Sequence, residues 1–171
     1  MRSPDPVRAR WWFLGSLVAY LLVLAAAALL LPDRVPLHFD GSGAVDRVGS
    51  RTEALVVFGL VGALLGAVLG GAAAWSPRMP LTFINLPAAS KEWWTATPER
   101  EGAMRRRMER DLWAIAAATV LLLCGVCLLT VRAARSVDPG LGPWFWVVLG
   151  LYLLYVLGWT LRVVRGHRPT G

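Results

Sequence analysis

The sequence predicts an all-α integral membrane protein with four transmembrane helices and a short ordered loop between the first two. The 171-residue chain is 56% hydrophobic with a mean hydropathy of +0.53, and its apolar residues gather in four long runs that contain no charged residue. Each run is about 20 residues long, which is the length of helix that crosses a hydrocarbon core of about 30 Å. The charged residues lie between the runs, and this pattern excludes a disordered chain and disfavours a soluble domain.

The four runs are predicted to be helices because a backbone in lipid must satisfy its own hydrogen bonds. The segments between them are too short for a separate folded domain, so residues 1–171 are predicted to form a single membrane domain. A cleaved secretory signal is the alternative for the first run, but that run exceeds the roughly 7–15 residues of a signal core. The predicted spans cover about 11–31, 54–75, 112–131 and 141–161.

Lysine and arginine are unevenly distributed between the two sides of these spans. The two tails and the loop 76–111 carry 13 of them, whereas the loops 32–53 and 132–140 carry 5. Because positively charged loops remain in the cytoplasm, both termini are expected there, and the first loop is expected outside the bacterial cytoplasmic membrane. The net charge of +7 then reflects topology, and no basic module for nucleic acid is expected. Tryptophans near the span ends predict interfacial belts: Trp11, Trp12, Trp75, Trp113, Trp144, Trp146 and Trp159.

Small residues in the second span predict close helix packing. Gly62, Gly66 and Gly70 recur at steps of four and therefore share one helix face, which lets another helix approach closely. That helix belongs either to the same chain or to a second copy in a homodimer. The spans contain no Asp, Glu, Lys, Arg or His, which disfavours a coupled transporter or a channel.

The two cysteines of the third span, Cys124 and Cys127, are three residues apart and face the same way. A redox enzyme of the membrane is one interpretation, but free cysteines also behave as small hydrophobic residues. A redox relay usually needs a second pair, and the chain has two cysteines in all. No enzymatic activity and no cofactor are therefore expected.

The loop after the first span is predicted to be compact. Pro32 ends the first helix, and the Asp-Gly-Ser-Gly turn at 40–43 lets the segment 35–39 fold back against the segment after Ala44. Ser50 and Glu53 form a capping box at the start of the second helix. This loop is the most distinctive stretch of the sequence.

The same loop resembles a known family. Pro32, Val35, Pro36, His38 and Phe39, a glycine turn, and then an Asp-Arg-x-Gly-Ser-Arg stretch match the pattern of the domain of unknown function 1648 family. That domain forms the N-terminal part of SdpI-like bacterial membrane proteins. The resemblance covers about residues 15–75, and Val48 stands where an aromatic residue is usual. It implies a role in envelope signalling or in immunity to a secreted peptide toxin. The remaining motif positions are Gly43, Asp46, Gly49, Ser50 and Arg51.

His38 is the most chemically versatile residue of this loop. It is interpreted as a structural histidine that hydrogen-bonds within the hairpin, with Asp46 as its partner, or as part of a surface that recognises an outside ligand. A metal site with Asp40 and Asp46 and a pH switch are the weaker alternatives, and no metal is expected. The residues predicted to recognise a ligand or partner are Pro36, His38, Phe39, Gly43 and Asp46.

The cytoplasmic loop is predicted to end in a long helix. Thr97, Pro98 and Glu99 form a helix start, and the helix is expected to run from about 98 to about 131. Glu101 with Arg105, and Arg107 with Asp111, are spaced as i,i+4 pairs, and Trp93 and Trp94 are expected to anchor the loop at the interface. The residues predicted to bind lipid headgroups are Arg105, Arg106, Arg107 and Arg110.

The sequence thus favours a non-enzymatic multi-pass protein of the SdpI-like group, acting in envelope signalling or in immunity to a peptide toxin. The alternative is an accessory subunit of a membrane transporter or envelope complex. Its expected partners are the lipid bilayer, and a secreted peptide or another membrane protein.

Overall fold

The computed structural model describes residues 5–137, 139–140 and 142–166. Helix α1 is followed by a β-hairpin, helix α2, a loop with two short 3₁₀ turns, the short helix α3, the long helix α4 and helix α5. The bounds are α1 Pro6–Leu30, β1 Arg34–Phe39, β2 Val45–Ser50, α2 Arg51–Trp75, 3₁₀ turns Ser76–Arg78 and Leu81–Phe83, α3 Ala88–Thr95, α4 Pro98–Ala134 and α5 Gly142–Gly166.

Four helices are long and apolar enough to cross a membrane, namely α1, α2, α4 and α5. The prediction of four spans is therefore confirmed, although the helices extend beyond the apolar runs. Helix α1 begins at Pro6 because the Asp5 carboxylate accepts a hydrogen bond from the Val7 amide, and it ends before Pro32 as predicted. Leu141, which was predicted to open the fourth span, lies outside the described residues, as do Arg2 and Arg168 of the charge count.

Helix α4 is the centre of the bundle. Its 37 residues begin at the predicted cap, where the Thr97 hydroxyl accepts a hydrogen bond from the Arg100 amide. Helices α1 and α2 pack on α4 and on each other, whereas α5 packs on α4 alone among the described elements. The main core lies between α1, α2 and α4 and contains Phe13, Tyr20, Ala73, Trp113, Ala116, Val120 and Cys124.

The glycine face of α2 packs against α1 of the same chain. A Cβ atom at Gly62 would lie 2.1 Å from the Tyr20 ring, and one at Gly70 would lie 2.9 Å from the Phe13 ring. The absence of side chains thus lets aromatic rings reach the α2 backbone, where the Tyr20 hydroxyl donates a 2.6 Å hydrogen bond to the Phe58 carbonyl. At Gly66 the neighbour is Leu17. A homodimer through these glycines would have to displace α1, and homodimer formation stays a prediction.

The two ends of the bundle differ in character. One end, called the hairpin end, carries β1, β2 and the connection from α4 to α5, where Ala44 and Gly140 form an isolated β-bridge. The other, called the arginine-rich end, gathers the start of α1, the loop 76–97, the start of α4 and the end of α5. Pro6 at the start of α1 and Gly166 at the end of α5 therefore lie at the same end of the bundle.

Three expectations about individual side chains need correction. Trp113 is buried against Phe13, with ring centroids 5.1 Å apart, so it is a core residue and not part of an interfacial belt. Trp94 is also buried and packs with Ile84 and Met104, because the loop 76–97 folds onto α4 and forms a small core of its own. The i,i+4 pair of Glu101 and Arg105 is present at 2.8 Å, but Asp111 is paired with its neighbour Arg110 and not with Arg107.

Candidate recognition site

The turn of the hairpin is organised by the carboxylate of Asp40. Its Oδ1 accepts hydrogen bonds from the Ser42 hydroxyl at 2.6 Å, the Ser42 amide at 2.8 Å and the Ala44 amide at 3.1 Å. These bonds, the Ser42 hydroxyl first, hold the pKa of Asp40 below its usual value. Gly43 adopts a φ of 85°, a left-handed conformation that glycine tolerates best. Gly43 and Asp40 therefore build the turn.

The two strands pair in antiparallel fashion with an irregularity around His38. Pro36 lies opposite Val48 and His38 lies opposite Arg47, and the register shifts on both sides of His38. Such bulges reorient side chains locally. The His38 Nδ1 atom lies 2.6 Å from the Asp46 Oδ1 atom, and both side chains are largely exposed, at 65% and 46%. The structure therefore contains the hydrogen bond on which the structural interpretation of His38 rests.

The pairing of His38 leaves one of its ring nitrogens for another partner. A carboxylate accepts hydrogen bonds, so the 2.6 Å contact makes Nδ1 the donor. Within the described residues Nε2 has no hydrogen-bond partner. The ring is thus oriented by Asp46, and its Nε2 atom is free to contact a ligand.

A cavity of about 360 Å³ lies beneath the hairpin. Its walls come from β1, α2, α4 and α5, and its surface is mostly apolar. The Thr130 hydroxyl donates a 3.0 Å hydrogen bond to the Val126 carbonyl. The polar side chain of the lining that remains available to a ligand is therefore His38. The cavity is lined by Pro36, Leu37, His38, Phe39, Ala54, Val57, Phe58, Val126, Leu129, Thr130 and Phe145.

The rest of the loop motif holds the hairpin on the bundle. Val35 is fully buried in a second core with Ala27, Leu31, Ala54, Cys127 and Val131. Arg51 is joined to Asp33 by a 3.0 Å ion pair. The Ser50 hydroxyl accepts a 3.1 Å hydrogen bond from the Glu53 amide, which is one of the two bonds of the predicted capping box. Arg47 forms an ion pair with Glu53.

Gly49 lies at a close approach in the same region. A Cβ atom there would lie 2.2 Å from the end of the Leu37 side chain and 2.3 Å from the Glu53 carboxylate. A side chain at this position would therefore have to displace the ends of two flexible side chains.

The five residues predicted to recognise a ligand have different positions. His38, Phe39 and Pro36 all line the cavity, Asp46 orients His38 from outside it, and Gly43 belongs to the turn. Sequence reasoning missed the part of the lining that comes from α4 and α5, Phe145 in particular. No local pattern marks these residues, because they reach the hairpin only when the helices pack.

The four arginines predicted to bind lipid headgroups lie at the arginine-rich end, and three have partners within the chain. Arg105 donates to Glu101 and to the carbonyls of Pro77 and Met79. Arg107 donates to the Gly166 carbonyl at 2.6 Å, and Arg110 is paired with Asp111. Arg106 is exposed. Headgroup binding by this set stays a prediction.

Neither the hairpin nor the two cysteines form a metal cluster or a disulfide. Among the residues that the structure describes, no three His, Cys, Asp or Glu side chains are grouped to hold a metal ion. The Asp40 carboxylate, a ligand in the alternative metal interpretation, is occupied by the turn. Cys124 and Cys127 are both buried and have free thiols.

Residues 15–63 match the family described as domain of unknown function (DUF1648). The match covers the greater part of α1, the whole hairpin and the first half of α2, and it ends short of residue 75, where the resemblance was expected to end. No curated protein matches the chain, and no solved structure matches it.

Proposed function

We propose that this multi-pass membrane protein, whose residues 15–63 form a DUF1648 domain, is a non-catalytic receptor of the bacterial cytoplasmic membrane. In this proposal it recognises a secreted peptide through the hairpin and the cavity beneath it. Its role would be that of the SdpI-like group, namely envelope signalling or immunity to a peptide toxin.

This role needs the hairpin to face the outside of the cell, and the distribution of lysine and arginine supports that orientation. Eleven of the lysine and arginine residues that the structure describes lie at the arginine-rich end or in its loop, and five lie at the hairpin end. The positive-inside rule then assigns the arginine-rich end to the cytoplasm and the hairpin to the outside. A secreted peptide would meet the hairpin first.

The observation that carries the proposal is the position of the His38 side chain in the lining of an apolar cavity. A cavity of about 360 Å³ is large enough for one or two apolar side chains, and pockets of this kind combine apolar walls with a few oriented polar groups. The Nε2 atom of His38 provides such a group, because Asp46 holds the ring from the other side. The remaining conspicuous residues of the motif are engaged in holding the hairpin together.

The proposal is tested by protection of cells. The gene is deleted in its native host, and the strain is challenged with peptide fractions below about 10 kDa from the culture supernatant of the same host. We expect the deletion strain to be more sensitive to at least one fraction, or to change its transcription in response to it, and we expect the wild-type gene to restore the response. Equal behaviour of the deleted and restored strains toward every fraction would overturn the proposal.

Two substitutions at His38 separate recognition from a structural role. In His38→Asn the side-chain amide can replace Nδ1 and keep the bond to Asp46, whereas in His38→Gln the amide lies nearer the position of Nε2. A recognition role predicts that His38→Asn loses protection and that His38→Gln retains part of it. A structural role predicts the reverse order, accompanied by a lower melting temperature for His38→Gln.

The matched control is Arg34→Gln, because Arg34 is exposed on the same strand and does not line the cavity. This variant should protect as well as the wild type. Membrane abundance of each variant, measured by immunoblot, ensures that a loss of protection is not a loss of protein.

The accessory-subunit hypothesis is favoured by one observation. Helix α5 has no buried residue and packs on α4 alone among the described elements. A second membrane protein could therefore cover much of α5. Leu153 and Leu157 are both exposed on α5. If a stoichiometric partner copurifies with the wild type and is lost when both leucines are changed to tryptophan, the accessory-subunit function is supported over the receptor function.

A further inference from the structure

A second cavity lies on the opposite half of the molecule, between α1 and α5. These two helices do not contact each other along the described residues, and both pack on α4. The gap between them is a groove of about 490 Å³ with α4 as its floor. Alanine side chains of α4 leave space above the floor, and larger side chains of α1 and α5 form the walls. The residues that define it are Trp12, Ala114, Ala118, Leu121, Leu151 and Tyr155.

The groove presents almost only carbon to its contents. The Thr119 hydroxyl donates to the Ile115 carbonyl at 2.9 Å and therefore accepts from the Tyr152 hydroxyl, 3.1 Å away, and the Tyr155 hydroxyl donates to the Ala114 carbonyl at 3.4 Å. Because its polar atoms are occupied, the groove suits a hydrocarbon chain and not a polar ligand. Its floor from Ala114 to Leu122 rises about 12 Å along the helix, which is about two fifths of the depth of a hydrocarbon core.

The groove continues into a charged mouth at the arginine-rich end. The mouth has a volume of about 590 Å³ and shares Ala9, Trp12, Ala114 and Tyr155 with the groove. Three arginines and two aspartates line it as well: Arg8, Arg110, Arg162, Asp5 and Asp111.

The internal pairing of these charges leaves two arginines available. The buried Asp111 carboxylate accepts a 2.9 Å hydrogen bond from Arg110 Nε, and Asp5 is occupied as the cap of α1. Arg8 and Arg162 have no salt bridge to any described residue. The mouth therefore offers two exposed guanidinium groups, which are suited to binding a phosphate group through paired hydrogen bonds.

We infer that the groove between α1, α4 and α5 is a binding site for an anionic phospholipid. One acyl chain lies along the alanine floor of α4, and the headgroup phosphate contacts Arg8 and Arg162. The charge of the mouth favours this occupant over a helix of another protein. A phospholipid carries its anionic headgroup directly above its hydrocarbon chain, in the same order as the arginines of the mouth and the apolar groove. The site is distinct from the hairpin cavity and does not depend on the proposed receptor function.

The site is tested by native mass spectrometry of the full chain released from detergent. The protein is mixed with phosphatidylglycerol and phosphatidylcholine that carry identical palmitoyl and oleoyl chains, and the bound fractions are compared. We expect up to about 25-fold tighter binding of phosphatidylglycerol, since each of the two arginines contributes about a factor of five near an anionic lipid. The double variant with Arg8→Gln and Arg162→Gln should bind the two lipids within about twofold of each other.

The charge control is the double variant with Arg78→Gln and Arg165→Gln, which removes two exposed arginines from the same end that neither line the mouth nor belong to the four arginines predicted to bind headgroups. It should keep the preference for phosphatidylglycerol. If both double variants lose the preference equally, lipid binding is a diffuse effect of net charge and the inferred site is wrong.

A second pair of variants tests the apolar part. Ala118→Phe fills the floor of the groove and should lower binding of both lipids at this site at least fivefold, whereas Ala67→Phe on the outward face of α2 should not. If Ala118→Phe instead converts a dimer into a monomer and leaves lipid binding unchanged, the groove is an interface between copies and the inference is overturned. Far-ultraviolet circular dichroism of each variant verifies the helical content.

Discussion

The hairpin end and the arginine-rich end both depend on polar contacts, but these contacts connect different parts of the chain. At the hairpin end the side-chain partners are near in sequence, from the turn around Asp40 to the ion pair of Asp33 with Arg51, 18 residues apart, and the β-bridge of Ala44 with Gly140 is a long-range contact. At the arginine-rich end Arg105 reaches carbonyls 26 and 28 residues away, and Arg107 reaches one 59 residues away. The hairpin is therefore a local structure placed on the bundle, whereas the arginine-rich end exists only when separate segments meet.

This difference assigns different roles to similar residues. An arginine at the hairpin end, such as Arg47, is exposed and holds a neighbouring acid. Arg105 at the other end is mostly buried and binds backbone carbonyls that no other described donor serves. Removal of Arg105 should therefore disturb the fold more than removal of Arg47.

The largest effect is expected for Arg105→Ala. The variant loses the bond to Glu101 and leaves the carbonyls of Pro77 and Met79 without their donor, and we expect a local destabilisation of about 2–3 kcal/mol. Hydrogen exchange in the loop 76–97 should become faster. Arg106→Ala is the matched control, because Arg106 is exposed and adjacent. Equal exchange in the two variants would mean that the long-range contacts do not hold this end together.

An intermediate effect is expected for Gly49→Ala. The added methyl group would meet the ends of the Leu37 side chain and the Glu53 carboxylate, and the change of side-chain conformation that relieves this overlap should cost about 0.5–1.5 kcal/mol. We expect faster hydrogen exchange in β1 and β2 and unchanged exchange in α4. Gly41→Ala is the control, since a Cβ atom there has open space within 4 Å. If the amides of β1 and β2 exchange as slowly in Gly49→Ala as in Gly41→Ala, the close approach at Gly49 does not affect the stability of the hairpin.

The smallest effect is a dependence of the hairpin turn on pH. The folded pKa of Asp40 is lowered, chiefly by the Ser42 hydroxyl, so the carboxylate stabilises the turn above its unfolded pKa of about 3.8. This stabilisation is lost as the pH falls through the lower folded value. The amide resonances of Ser42 and Ala44 should therefore shift below about pH 4.

Two variants identify the group responsible for that shift. Asp40→Asn should abolish it, whereas Asp46→Asn should preserve it, because Asp46 binds His38 and does not contact the turn. A titration unchanged in Asp40→Asn would assign the pH dependence to another group.

Much of the hairpin could be predicted from the sequence because its determinants are local. Pro32 ends α1, the turn follows from Asp40 to Gly43, and Ser50 caps α2. The long helix α4 was likewise predicted from its Thr-Pro-Glu start. In each case a few adjacent residues satisfy one another's backbone hydrogen bonds, so no distant segment is needed.

The candidate site was only half predictable. His38 and Asp46 are close in sequence and could be paired by reasoning on the turn, but Phe145 reaches the same cavity from a helix about 100 residues away. The lipid groove is a still stronger example, since the mouth combines Arg8 near one end of the chain with Arg162 near the other. Neither set shares a sequence spacing that could have joined its members.

The four spans, the turn and the caps follow from the order of the amino acids alone, because hydrophobic length and local hydrogen bonding act on neighbouring residues. The packed molecule was needed to learn which helix covers the glycine face, which tryptophans are buried, and which arginines remain exposed. Those outcomes depend on how α1, α2 and α5 pack around α4, and packing in a membrane is governed by shape and by contacts between distant segments.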